Sequence, residues 1–394
     1  MIQSFNPPNM SDFQKRALIV GIVGLVALII GVVLNPVASQ LFQSYLIGWT
    51  FWTGIAVGSL ALLMLQHLTG GGWGLVIRRV LEAATRTLPL MAILFVPIIL
   101  GAHSLYEWTH PEELEKHPAV KFKSGYLNVP FFTVRAVIYF GVWIALAFFL
   151  NKWSLAQDRT ADNTYTKKMR LLSGPGMVVL IFSVTFASVD WYMSLEPEWF
   201  STIYGFIFVA AWSLSALAFV IAMMARLSRE EPMRRIVAPL HFHDLGKLLL
   251  ALVMLWAYFA FSQFLIIWSG NLPEEIVYYL GRTHGAWGAL IIAIGILHFA
   301  APFLFLLSRG LKRDPSKLVL VALLILVMRM VDLLWVLVPA FKNRHWILLD
   351  VFALVGFGGL WLAFFTWQLG KRSLIPINDP QFESTLEQMH AGGH

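Results

Sequence analysis

The 394-residue chain contains no cysteine. Disulfides, thiolate-held iron–sulfur clusters and C-x-x-C-H haem attachment are therefore excluded. A zinc site would have to be built from histidines and carboxylates alone. Charge is also scarce, at 13% of residues, against about a quarter in ordinary soluble domains. With 58% hydrophobic residues and a mean hydropathy of +0.71, a water-soluble globule is ruled out. The longest gap between apolar runs, about Ser104 to Pro130, is too short for a separate globular domain. No P-loop, G-x-S-x-G or H-E-x-x-H occurs, so no residue is assigned a catalytic role.

What the chain does have is long apolar runs. A bilayer span takes about 20 apolar residues. Ten such stretches occur, at approximately 17–34, 45–65, 86–106, 131–150, 177–193, 203–224, 248–268, 285–306, 318–338 and 347–367. The third is the weakest and borrows residues at both ends. The expectation is an all-α polytopic membrane protein with ten transmembrane helices, forming a single integral membrane domain over 1–394. Lys15 and Arg16 before the first run, and the small residues Val37-Ala38-Ser39 after it, raise the question of a cleaved signal peptide. The run is longer than a typical signal core and is read as a retained helix.

Ten spans place both termini on one side. That side carries 21 Lys and Arg, the other carries 6 (Lys116, Lys121, Lys123, Arg282, Lys342, Arg344), and Arg135 and Arg329 fall within spans. The positive-inside rule then makes both termini cytoplasmic and the tail 373–394 a polar cytoplasmic segment. The pI near 9.6 is thus a sign of topology, and no nucleic-acid partner is implied. Gly54 and Gly58 make a G-x-x-x-G on the second span, a pattern that lets helix backbones approach closely.

Ionisable residues at membrane depth are costly, at roughly 2.5–3.5 kcal/mol each on the insertion scale. Arg329 and Asp332 are i, i+3 on the ninth span and share a face. They read either as a self-neutralised pair or as a step in a proton route. Asp190 follows Ser183, Thr185 and Ser188 near the outer end of the fifth span. Asp350 lies in the outer third of the tenth and Arg135 in the outer part of the fourth. An interhelical Asp–Arg pair is the plain reading for these. His298 lies 14 residues past His284 on the eighth span and is the type of side chain whose ordinary pKa suits proton exchange near neutrality. Tyr258 and Ser262, at i, i+4 on the seventh, can relay protons or bond neighbouring helices. The candidate relay is His298, Arg329, Asp332, Asp190, Asp350, Tyr258 and Ser262.

Two further histidine patterns carry ligand residue types. The 14-residue spacing of His284 and His298 suits stacked b-type haems, but the mates that could match them, His103 and His67, lie at the ends of different helices without that spacing. His241-Phe-His243-Asp244 has metal-ligand residue types with no fourth ligand in view. It reads as interfacial anchoring or proton collection, and no metal is assigned.

Several longer stretches are more specific. They are Asp190-Trp-Tyr-Met-Ser-Leu-Glu-Pro-Glu-Trp-Phe-Ser-Thr-Ile-Tyr-Gly205, His241-Phe-His-Asp-Leu-Gly-Lys247, Trp256-Ala-Tyr-Phe-Ala-Phe-Ser-Gln-Phe-Leu-Ile-Ile-Trp268 and Asn271-Leu-Pro-Glu-Glu275. With ten spans and this length, the chain resembles the smaller NrfD-like (polysulfide reductase NrfD family) membrane subunits of bacterial alternative complex III. The resemblance covers the whole membrane region. It implies two four-helix bundles, spans two to five and six to nine, with spans one and ten flanking. It further implies a quinol:cytochrome c oxidoreductase of the bacterial inner membrane. The partners would be a larger NrfD-like paralogous subunit, an iron–sulfur subunit and haem c subunits, with the redox centres on those chains and none bound covalently here. The quinol site of such complexes is attributed chiefly to the larger paralogue. His103 and Asp190 are the residues here that could contact a quinol. A secondary transporter and a purely structural scaffold are the competing classes.

Overall fold

A computed structural model of the chain describes residues 10–34, 38–160, 162–341, 347–376, 378–380 and 382. Val37, Lys342, Arg344 and most of the tail 373–394 lie outside the described residues. Among those described, ten helices are long and apolar enough to cross a membrane, and no strand is formed. They are α1 (Ser11–Leu34), α2 (Ala38–Thr69), α3 (Gly72–Leu100), α4 (Val129–Thr160), α5 (Thr164–Trp191), α6 (Tyr204–Leu227), α7 (Pro239–Gly270), α8 (Gly285–Leu307), α9 (Pro315–Leu337) and α10 (Leu348–Leu369). The end of the molecule where α1 starts and α10 finishes is called the near end below, and the opposite end the far end.

Several helices outrun their apolar cores. α7 starts nine residues before the apolar run beginning at 248, because Pro239 suits a first helical turn and His241 Nδ1 accepts a hydrogen bond from the Ala238 N–H (3.0 Å). α3 starts at Gly72 rather than 86, so Arg78, Arg79, Glu82 and Arg86 belong to a helix and not to a connection. It is broken near Arg86–Thr87 and Leu94–Phe95. Pro89 and Pro97 lack the N–H that would bond the carbonyl four residues back.

α2 and α6 form the centre. Both are buried along most of their length and pack on each other. Gly54 and Gly58 sit at that crossing, where a Cβ on Gly54 would stand 2.5 Å from Trp212 Cδ1. α2 also packs on α3, α5 and α10, while α6 packs on α5, α7 and α9. α4 lies on α5, and α8 lies on α9 and α7. α1 is mostly exposed and touches the rest chiefly through α10. There Gly21 and Gly24 meet the α10 backbone, so that a Cβ on Gly24 would lie 2.6 Å from Gly356 N. This is the close backbone contact that small residues permit between apolar helices.

Candidate functional site

The eighth helix is not regular. Residues Ile294–Ala300 are a π-helical segment just before Pro302, which lacks an N–H for the ladder. Such wide turns re-aim side chains and occur often at functional positions. Here the segment carries His298, which has no exposed surface and lies edge-on to Trp256 of α7 with ring centroids 4.1 Å apart. Neither ring nitrogen has a hydrogen-bond partner among the described residues. An unpaired buried polar group costs about 1–3 kcal/mol, so this arrangement is not explained by stability.

α9 packs against the π segment and supplies Arg329 and Asp332, which form an ion pair across one helical turn. Both are buried, at 4% and 6% exposed, and Arg329 Nε has no hydrogen bond among the described residues. Because α9 starts at Pro315, Asp332 stands about 25 Å along the helix from the near end at 1.5 Å per residue. It therefore lies toward the far end, with Arg329 one turn nearer the level of His298.

Asp332 lines a cleft of about 690 Å³. α7 lies against residues 301–307 of α8 but parts from residues 285–293, and the cleft fills that gap. Its walls are apolar, with Met254 and Phe261 of α7 facing Ile291 and Phe299 of α8. Its polar groups include Asp332, Gln263, Thr283, Tyr204, Tyr258, Tyr278 and Tyr279. Gln263 accepts from Ser201 Oγ (2.9 Å) and donates to Tyr279 Oη (3.3 Å).

At its far end the cleft is lined by Tyr278 and Tyr279 of the short helix Pro273–Leu280, and Arg282 follows that helix. Arg282 is 1% exposed and holds Glu196 through two bonds (3.2 and 2.5 Å). It also donates to the carbonyls of Tyr278 and Val336, both at 3.0 Å. Its guanidinium lies 3.7 Å from the Tyr278 ring centre. Burial works against the charge, yet Tyr278 and Glu196 hold the Arg282 pKa above the ordinary arginine value. Burial also pushes the Tyr279 hydroxyl up to about 12.

The other candidate residues are placed elsewhere. Asp190 is fully buried in a clamp between α4 and α5. Arg135 binds both its oxygens (2.7 and 3.0 Å), and Tyr139 donates its hydroxyl to it (2.7 Å). Arg135 also reaches the Tyr126 carbonyl (2.9 Å) and lies over the Tyr126 ring. Asp350 is buried in the first turn of α10, a helix that packs on α1 and α2. Tyr258 is 64% exposed on the open side of the cleft, and Ser262 lies one turn along the same helix. His103 is exposed at the far end, stacked on His110 at 4.0 Å with Thr109 Oγ1 3.2 Å from its Nδ1. The structure thus brings His298, Arg329 and Asp332 to one region with Tyr258 at its rim, and leaves Asp190, Asp350 and His103 outside it.

The histidines weighed as haem ligands are dispersed in the same way. His284 is exposed and its Nδ1 meets the Leu280 carbonyl (2.9 Å), whereas His67 is buried near Arg78 and Glu82. His241 is occupied in capping α7. Among the described residues, no group of three or more His, Asp or Glu is placed to hold a metal ion.

Residues that the hydropathy pattern conceals also cluster, at the near end. Arg78, Arg79 and Glu82 of α3 are buried against Asn151, Ser154 and Asp158 of α4. An Arg-Arg-x-x-Glu in a run that is otherwise amphipathic and helical was the available signal.

Among the described residues the fold is all-helical, with ten apolar helices long enough to span a membrane, as in a multi-pass membrane protein. No protein-family model matches the chain, and no curated protein matches it in sequence.

Proposed function

We propose that this chain is a membrane subunit of a quinol:cytochrome c oxidoreductase of the alternative complex III type. In this reading it carries no redox centre and serves proton translocation and assembly. The long motifs that resemble the NrfD-like subunits support membership, and the lack of cysteine suits a chain whose partners hold the haem c and iron–sulfur centres. The reading takes spans two to five and six to nine as the two four-helix units, both termini as cytoplasmic, and the bacterial inner membrane as the location.

The observation that carries the proton role is the grouping of His298, Arg329 and Asp332 beside the cleft. A proton arriving at Asp332 cancels its charge and loosens its hold on Arg329. The freed guanidinium lies on α9, which packs against the π segment carrying His298, and acts on that imidazole. Proton occupancy at the far end is thereby coupled to that at the π segment. A neutral imidazole with two unpaired nitrogens is equipped to take up and pass on a proton. In this reading Asp190 is held for structure by Arg135 and Tyr139.

A second reading is favoured by the cleft itself. Its size, apolar walls and few convergent polar groups are those of a site for a small amphipathic molecule, so a quinol bound by this chain would sit there, beside Asp332, rather than at His103 and Asp190.

The test is purification through this chain in mild detergent, with a subunit inventory and visible redox spectrum. Haem c on co-purifying chains, and none on this one after separation, supports the respiratory reading. A colourless single chain that binds and moves a solute favours a transporter. A b-type spectrum on this chain alone points back to the histidines.

A further inference from the structure

After α10 the chain turns back beneath α3 and α4. Leu374 and Ile375 are buried, at 2% and 1% exposed. Arg372 reaches Glu82 (3.4 Å) and the Asn151 side chain (3.1 Å). Asn378 donates to the Asp158 carbonyl (2.7 Å), and Asp379 pairs with Arg78 at 2.6 Å with both side chains almost wholly enclosed. The segment read from sequence as a polar tail is therefore, over residues 373–376 and 378–380, part of a strap across the near end that begins at Arg372.

Beneath it lies a closed electrostatic set. Arg79 donates to Glu82 (2.7 Å) and to Ser154 (3.0 Å) and pairs with Asp158. Ser154 donates to the second Glu82 oxygen (2.5 Å). Arg78 bonds Gln66 (3.2 Å), and beside them the buried His67 has no hydrogen bond at Nε2 among the described residues. The strap contributes one charge of each sign. Without Arg372 and Asp379, Glu82 and Asp158 would still be held by Arg79, and Arg78 alone would lose its carboxylate. The inner network thus keeps its own partners without the strap, which is held by the Arg372 and Asp379 contacts, the Asn378 bond and the buried Leu374 and Ile375, and whose described residues form no regular helix or strand.

We propose that this strap is a reversible latch. Closed, it seals Glu82 and His67 from water; open, it admits water to them at the near end of α3 and α4. A structural pillar would differ in that its loss would unfold the helices it touches. A latch leaves them standing and changes only access. The inference does not depend on the relay reading of α8 and α9.

The absence of cysteine makes the test direct. Ser154→Cys places a single thiol beneath the strap in the full chain, and its rate of reaction with a water-soluble, membrane-impermeant maleimide reports access. The thiol should react slowly behind the wild-type strap. Adding Asp379→Asn should speed reaction about tenfold, in line with loss of one charge-assisted contact. Exchanging the charges, Arg78→Asp with Asp379→Arg, should restore protection. The proposal is overturned if Asp379→Asn changes the rate by less than about twofold. It is overturned equally if Asp379→Asn destroys the folded helical core, judged by gel filtration and thermal unfolding, since the strap would then be a pillar.

Discussion

His298 stands edge-on to Trp256 with ring centroids 4.1 Å apart, and both imidazole nitrogens lack a hydrogen bond among the described residues. The π turn that carries it and the Arg329–Asp332 pair on the next helix enclose it. A group so placed costs stability, and in the proposed function it serves proton transfer.

The corresponding prediction separates stability from function. His298→Phe fills a similar volume and removes an unsatisfied group worth about 1–3 kcal/mol. Thermal unfolding in detergent should show a variant at least as stable as the parent, while proton release by the assembled complex is lost. A destabilised variant with normal proton release would assign His298 to packing.

Breaking the pair on α9 should be expensive and breaking it completely should not. Arg329→Met leaves a buried carboxylate without its cation, at a cost of about 3–5 kcal/mol. The double variant Arg329→Met/Asp332→Leu should recover most of that stability. Denaturant titrations of the two single variants and the double one measure this directly.

At the far end, Glu196→Gln weakens the hold on Arg282. Glu196 keeps about a third of its side-chain surface exposed, so solvent screening lowers the loss to about 1–2 kcal/mol, below that of a fully enclosed pair. Limited proteolysis around Pro273–Leu280 should accelerate with it.

Alkaline pH acts at the same end. Burial raises the Tyr279 pKa to about 12 from the ordinary value near 10. The folded state therefore holds the phenolic proton more tightly than the unfolded chain. The stability from this group is complete below pH ~10 and falls as pH rises toward the folded value near 12. Tyr278 is raised further by burial and acts in the same direction. Unfolding midpoints followed from pH 9 to 12 should decline, and Tyr279→Phe should flatten the decline.

Hydropathy made the ten helices legible, because a bilayer span is a property of a continuous run of residues. The i, i+3 pair Arg329–Asp332 was legible for the same reason, since one helical turn fixes it. Where helices begin was less so. Charges such as Arg78, Arg79 and Glu82 resemble a connection until partners from α4 and the C-terminal strap, some 70 and 300 positions away, neutralise them. Asp190 with Arg135 shows the same limit, since a pairing across 55 positions needs the packing of α4 on α5. The cleft left no mark in sequence, because it arises where α7 and α8 diverge.

In the proposed function protons pass by way of Asp332. The direct measurement is the proton-to-electron ratio of the assembled complex in sealed vesicles, for the parent and for Asp332→Asn. The account predicts that quinol oxidation continues in the variant, at reduced rate, while proton translocation through the membrane falls to background. An unchanged ratio in a fully assembled variant would contradict it and leave the Arg329–Asp332 pair as a structural tie.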